Sequence, residues 1–136
     1  MIGDDKIFAR LQRLEQAIAK LERIHKRGWK AFSSDTDLQD IADRNLQVAI
    51  QCCVDIANHL IAARGFRFPN SSADAFRVLT EEMHLSANLA ERLAETTGLR
   101  NIIVHEYLVI DRKIEFEALS EMDDLRGFAE WVVQLL

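Results

Sequence analysis

The sequence predicts an all-α fold, an antiparallel up-down helical bundle of four to five main helices in one domain over residues 1–136. Three observations point there. Apolar residues recur at the spacing of one helical face along most of the chain. Strand-like alternation is nearly absent. Glycines and small polar residues fall where one periodic run gives way to the next. A single proline leaves long runs free to be helical.

The first helix carries Ile7, Leu11, Leu14, Ile18 and Leu21, a 4-3-4-3 spacing that makes one apolar stripe. Asp4 and Asp5 suit its positive end, and Gly28, just past Lys26 and Arg27, is a stop signal. "SSDTDLQD" (33–40) reads as a polar link and helix start, with Thr36 and Gln39 as a capping box. A long second helix runs to about Arg64 and stops at Gly65. Its apolar residues, Leu38, Ile41, Leu46, Ile50, Cys53, Ile56, Leu60 and Ile61, spread widely around the axis. That breadth implies burial on two sides, against its own bundle and a second chain. Pro69 and "NSSAD" open a short helix through Phe76, Leu79 and Met83. Ser86 caps the next, with Leu89 and Leu93 on one face. Asp111 or Ser120 begins the last, where Leu125, Phe128, Val132 and Leu135 line up. Ile102, Ile103 and Val104 favour a strand by propensity. A lone strand has no partner here, so the stretch is assigned to a helix.

Net charge is −5, so the surface as a whole repels nucleic acid, and any RNA or DNA contact must be local. Cys52 and Cys53 are adjacent, about 100° apart on a helix, and form no chelating pair. They suggest buried thiols in a reducing compartment. No apolar run approaches the ~20 residues of a membrane span, and the start, "MIGDDKIFAR", lacks a basic-then-apolar signal pattern. The expectation is a soluble cytoplasmic protein with no membrane partner.

The stretch "LRNIIVHEYLVID" (99–111) puts arginine, asparagine, histidine and tyrosine into an apolar run. Asn and His are costly to bury without partners. On a helix Asn101 and His105 share a face at i, i+4. Arg100 and His105 lie roughly 140° apart around the axis. Residue chemistry alone allows a structural reading: a hydrogen-bonded core histidine, an arginine paired with a carboxylate, an interfacial tyrosine.

"RNIIVHEY" (100–107) resembles the R-x4-H-x-Y motif of the HEPN superfamily, most closely its HepT toxin branch. Gly98 before it, "LVID" after it and the second helix "RNLQVAIQCCVDIANHLIA" (44–62), followed by Pro69 and a short third helix, match that branch. The likeness covers about residues 5–135. The long polar link "KRGWKAFSSDTD" (26–37) departs from it.

The resemblance implies a metal-independent endoribonuclease, with no cofactor, acting as a homodimer whose motifs meet in a cleft. His105 would serve as general base or acid, Arg100 would steady the phosphate, and Asn101 would orient His105 or the backbone. Histidine titrates near enough to neutrality to move the 2′-hydroxyl proton, and guanidinium binds phosphate oxygens bidentately. The expected product is a 2′,3′-cyclic phosphate from tRNA or mRNA. In that branch the partner is an MntA-like nucleotidyltransferase antitoxin that transfers AMP to the motif tyrosine, here Tyr107. Added phosphates beside Arg100 and His105 would block the cleft and neutralise its charge.

On the second helix Gln47, Gln51 and Asp55 recur every four residues, with His59 extending the row and Arg44 near its start. Such a row is either a solvated face or the wall of a cleft beside the motif, and Asp55–His59 is a candidate local pair. Two Glu-x-x-His pairs, Glu22/His25 and Glu81/His84, raise a di-iron bundle site. Both fall near predicted helix ends, where histidine is favoured anyway, so no metal is assigned. The main rival is a HEPN-type dimer without nuclease activity, serving as an adaptor or nucleotide-binding partner of a nucleotidyltransferase.

Overall fold

The computed structural model describes the backbone of residues 4–105 and 111–136, and the side chains of 5–101 and 111–136. Among these residues the chain forms seven helices and no strand: α1 (Asp4–Lys26), α2 (Trp29–Ser33), α3 (Thr36–Arg64), α4 (Ser72–Met83), α5 (Ala87–His105), α6 (Arg112–Ala118) and α7 (Asp123–Leu135). Five are long, as the periodicity predicts, and Ile102–Val104 lie in α5 rather than in a strand.

The α3 helix is the axis of the bundle. It packs most extensively on α1 and also meets α2, α4, α5 and α7. Of its widely spread apolar residues, Leu38, Leu46, Ile50, Cys53, Ile56, Leu60 and Ile61 are buried, while Ile41 is 47% exposed. Breadth of apolar coverage is therefore accounted for largely by neighbours within this chain. By length and composition α3 is also the one described helix that could cross a bilayer, which qualifies the sequence expectation. Most of its apolar side chains are nonetheless core residues.

The helix ends follow local chemistry. Gly65 closes α3 at φ 68, letting the Phe66 N–H reach the Ile61 carbonyl at 3.1 Å. His84 ends α4 in the same left-handed conformation, φ 62, with the Leu85 N–H donating to the Leu79 carbonyl. Ser71 caps α4 by accepting from the Asp74 N–H. Ser86 accepts from the Leu89 N–H at the start of α5.

Three expectations are corrected. The cap of α3 is Asp35, which accepts from the Leu38 N–H, and Thr36 is already helical. Gln39 instead donates back to the Phe32 carbonyl. The link 26–37 is not merely polar. Gly28, at φ 91, turns the chain into α2, whose Phe32 is fully buried. Finally, Asp111 caps α6, a helix the periodicity did not resolve, while Ser120 caps nothing and α7 starts after Met122. Phe116 of α6 stacks on His25 at 4.7 Å and touches Trp29 and Phe32, so one aromatic cluster ties α6 to the end of α1 and to α2. Local periodicity cannot reveal these two short helices, because each is stabilised by side chains distant in sequence.

Candidate functional site: a polar relay ending at Arg100

The α5 helix presents Arg100 toward α3. One guanidinium nitrogen, Nη1, donates to Gln51 Oε1 at 2.6 Å, and Nη2 donates to Asn101 Oδ1 at 3.1 Å. Gln51 in turn donates through Nε2 to Asp55 Oδ1 at 2.8 Å. Asp55 Oδ2 faces Arg10 Nε of α1 at 3.5 Å. A line of donors and acceptors thus runs from α1 across α3 to α5. The glutamine amide is suited to the middle because it both donates and accepts. The carboxylate fixes its NH₂ group, which turns its carbonyl toward the guanidinium. Arg100 uses two N–H groups in these bonds, leaving about three of its five for a ligand.

The polar row of α3 therefore abuts the motif. Arg44, Gln47, Gln51 and Asp55, with Val48 and Cys52, line a single groove of about 240 Å³. Asp55 is taken up by Gln51 and Arg10, not by His59, whose Nε2 has no partner among the described residues. Asn101 turns its carbonyl oxygen to Arg100 rather than serving only the backbone. His105 is the last residue of α5, and its side chain lies outside the described residues, as does all of Tyr107. Sequence reasoning missed Arg10: no periodicity links it to Asp55, and only the packing of α1 on α3 brings them together.

The di-iron candidates are occupied otherwise. Glu22 accepts from Arg126 at 2.7 Å and Glu81 from Arg67 at 3.0 Å. His25 stacks on Phe116, and His84 is the left-handed cap residue just past the end of α4. No cluster of three metal-ligating side chains forms among the described residues. Both cysteines are buried, and burial pushes both thiols up, so neither is a ready nucleophile.

A second ionisable cluster was also missed. Glu115 of α6 is fully buried and shares the Arg112 guanidinium with Asp43 of α3, each at 2.7 Å. Burial first, then the neighbouring Asp43, raises its carboxyl to about 8, against the pull of Arg112. A proton on Glu115 would turn its otherwise unpartnered Oε2 into a donor. The cluster clamps α6 to α3 at a point five residues after Tyr107.

The family model described as "Ribonuclease HepT-like" matches residues 14–132. The chain is 29% identical over 128 residues to the mRNA nuclease HepT of Shewanella oneidensis, covering 93% of this chain and 96% of that protein. It is 30% identical over 114 residues to the tRNA nuclease HepT of Aphanizomenon flos-aquae, covering 84% and 78%. Among solved structures it superposes on a tri-AMPylated Shewanella oneidensis HEPN toxin in complex with MNT antitoxin. The TM-score there is 0.89 at 28% identity, over 96% of this chain and 98% of that one. An all-helical bundle, an R-x4-H motif at the end of α5 and these matches agree: the chain belongs to the ribonuclease HepT-like family of the HEPN superfamily.

Proposed function

We propose that this protein is the toxin of a toxin–antitoxin pair, a metal-independent endoribonuclease that works as a cytoplasmic homodimer. The observation that carries the reading is the Arg100–Gln51–Asp55 relay. It holds a motif guanidinium ready for an anion, in a chain whose relatives are named mRNA and tRNA nucleases.

In this reading a dimer supplies two copies of His105. One imidazole takes the proton of an RNA 2′-hydroxyl as that oxygen attacks the adjacent phosphorus. The other, protonated, gives its proton to the departing 5′-oxygen. The P–O2′ bond forms, the P–O5′ bond breaks, and the products are a 2′,3′-cyclic phosphate and a 5′-hydroxyl. Arg100 holds the phosphate oxygens, whose negative charge grows in the transition state. Asn101 and Gln51 position Arg100, while Arg44, Gln47 and Asp55 line the groove leading to it. Inhibition follows from AMP transfer to Tyr107 by a nucleotidyltransferase antitoxin, which places new phosphates against Arg100.

The test is RNA cleavage by purified protein. His105→Ala abolishes cleavage while circular dichroism stays helical, and EDTA leaves the wild-type rate unchanged. Retained cleavage by that variant removes His105 from the chemistry. Absence of cleavage by wild-type protein, with tight binding of the nucleotidyltransferase, supports the adaptor reading instead. Mass spectrometry after co-expression with the partner reports whether Tyr107 gains AMP.

A further inference from the structure

We infer that a basic groove between α1 and the start of α3 binds the phosphate backbone of single-stranded RNA and feeds it toward Arg100. The inference rests on the nuclease reading for its biological sense, though not for its geometry.

The groove has a volume of about 660 Å³, and Lys20, Arg23, Arg27 and Arg44 line it against one carboxylate, Asp40. Lys20 and Arg23 of α1 and Arg27, the turn residue just past its end, follow i, i+3, i+7 spacing, one side spanning about 10 Å. All four cations are exposed. Among the described residues none of them has an ion-pair partner. By contrast, Arg67, Arg77, Arg92, Arg112 and Arg126 each hold a carboxylate of another element. The protein carries net charge −5. Among the described residues half of its twelve arginines hold a carboxylate, and the cations of this groove are left open.

The groove is also placed to serve the motif. Arg44 lines both it and the smaller groove of Gln47, Gln51 and Asp55. Gln51, two turns further along α3, holds Arg100. Cations therefore begin about 10 Å from the relay and continue away from it. The floor includes Ile41, 47% exposed, an apolar surface against which a ribose or base can rest. Cations over an apolar floor suit a flexible polyanion with nonpolar faces, and a single strand offers both. An extended site of this kind sets how tightly a long RNA is held without entering the chemical step.

The experiment compares wild-type protein with the Lys20→Gln/Arg23→Gln/Arg27→Gln variant, which touches no residue of the relay. The binding probe is a fluorescein-labelled, fully 2′-O-methylated oligonucleotide, which has no 2′-hydroxyl to attack and so reports binding alone. The variant is expected to bind roughly tenfold more weakly at low salt. The slope of log affinity against log salt is expected to shrink by about 2, near 0.7 per lost phosphate contact. Cleavage of a long RNA slows through KM, while a dinucleotide is cut at the wild-type rate. Thermal melting checks that the variant folds. Equal binding and equal salt slopes overturn the inference, as does loss of nucleotidyltransferase binding with RNA binding intact. Groove-dependent binding by a wild-type protein that cleaves nothing sinks the nuclease reading and leaves the groove standing.

Discussion

Arg100 and Gln51 are 49 positions apart in sequence and 2.6 Å apart in space. The bond joins the motif helix to the central helix of the bundle, and Asp55 holds its acceptor from behind. A guanidinium held this way needs little further ordering when a phosphate arrives, which is where preorganisation helps catalysis.

Gln51→Leu removes the acceptor and lets Arg100 swing. A hydrogen bond to a charged group is worth roughly 1.5–3 kcal/mol, so cleavage falls about tenfold or more, in kcat rather than KM. Gln51→Glu does more harm, because a carboxylate pairs with Arg100 and offsets its charge. Wild-type rates in both variants would show that the relay has no part in the reaction.

The Glu115–Arg112–Asp43 clamp makes stability depend on pH. Glu115 is raised from 4.5 to about 8 by burial and by Asp43. Below 4.5 the group is protonated in folded and unfolded chains alike, and its contribution to stability is complete. As pH rises toward 8 the unfolded chain loses the proton while the folded chain keeps it, so that contribution is progressively lost. Glu115→Gln keeps the shape and removes the titration. Chemical denaturation across this window should show the variant gaining on wild type as pH rises, and a constant difference rejects the clamp as the source.

Phe128 of α7 is fully buried, edge-on to Phe76 of α4 at 5.4 Å and stacked near Trp131 at 5.9 Å. Phe128→Ala should cost about 3–5 kcal/mol, lowering the melting temperature by roughly 10 °C or more. Val133→Ala, one residue from Val132 but 55% exposed, should change stability by less than about 0.5 kcal/mol. Similar losses at both sites would contradict the orientation of α7.

Gly98 sits inside α5, exposed, with open space where a Cβ would be. Gly98→Ala should stabilise the chain by about 0.5–1 kcal/mol through helix propensity alone, raising the melting temperature by a few degrees. If cleavage falls while stability rises, the bare backbone at Gly98 is needed for close approach of RNA or of a second subunit. A drop in melting temperature would contradict an open helical site.

Long amphipathic patterns were legible in the chain itself. The stripe of α1, the breadth of α3 and the line Leu125–Phe128–Val132 on α7 each follow from a 3.6-residue period repeated often enough to outweigh local noise. Gly65 and Ser86 were legible because a helix end demands a left-handed residue or a side-chain acceptor. Weaker signals failed. Asp35 and Thr36 are both good caps, and only tertiary contact decides between them. The α2 and α6 helices exist because Phe32 and Phe116 meet in one aromatic cluster, which no window of sequence contains.

The site divides the same way. Its residue types, Arg100 with Gln51 and Asp55, were visible as a motif and as a four-residue row, since both are written along single helices. That Arg100 grips Gln51, that Arg10 anchors Asp55 and that Glu115 lies buried beside Asp43 were decided only by folding. Hydrogen bonds between helices depend on which faces turn toward each other and at what height. Those are set by packing the whole core at once, whereas periodicity is fixed by neighbours within a turn.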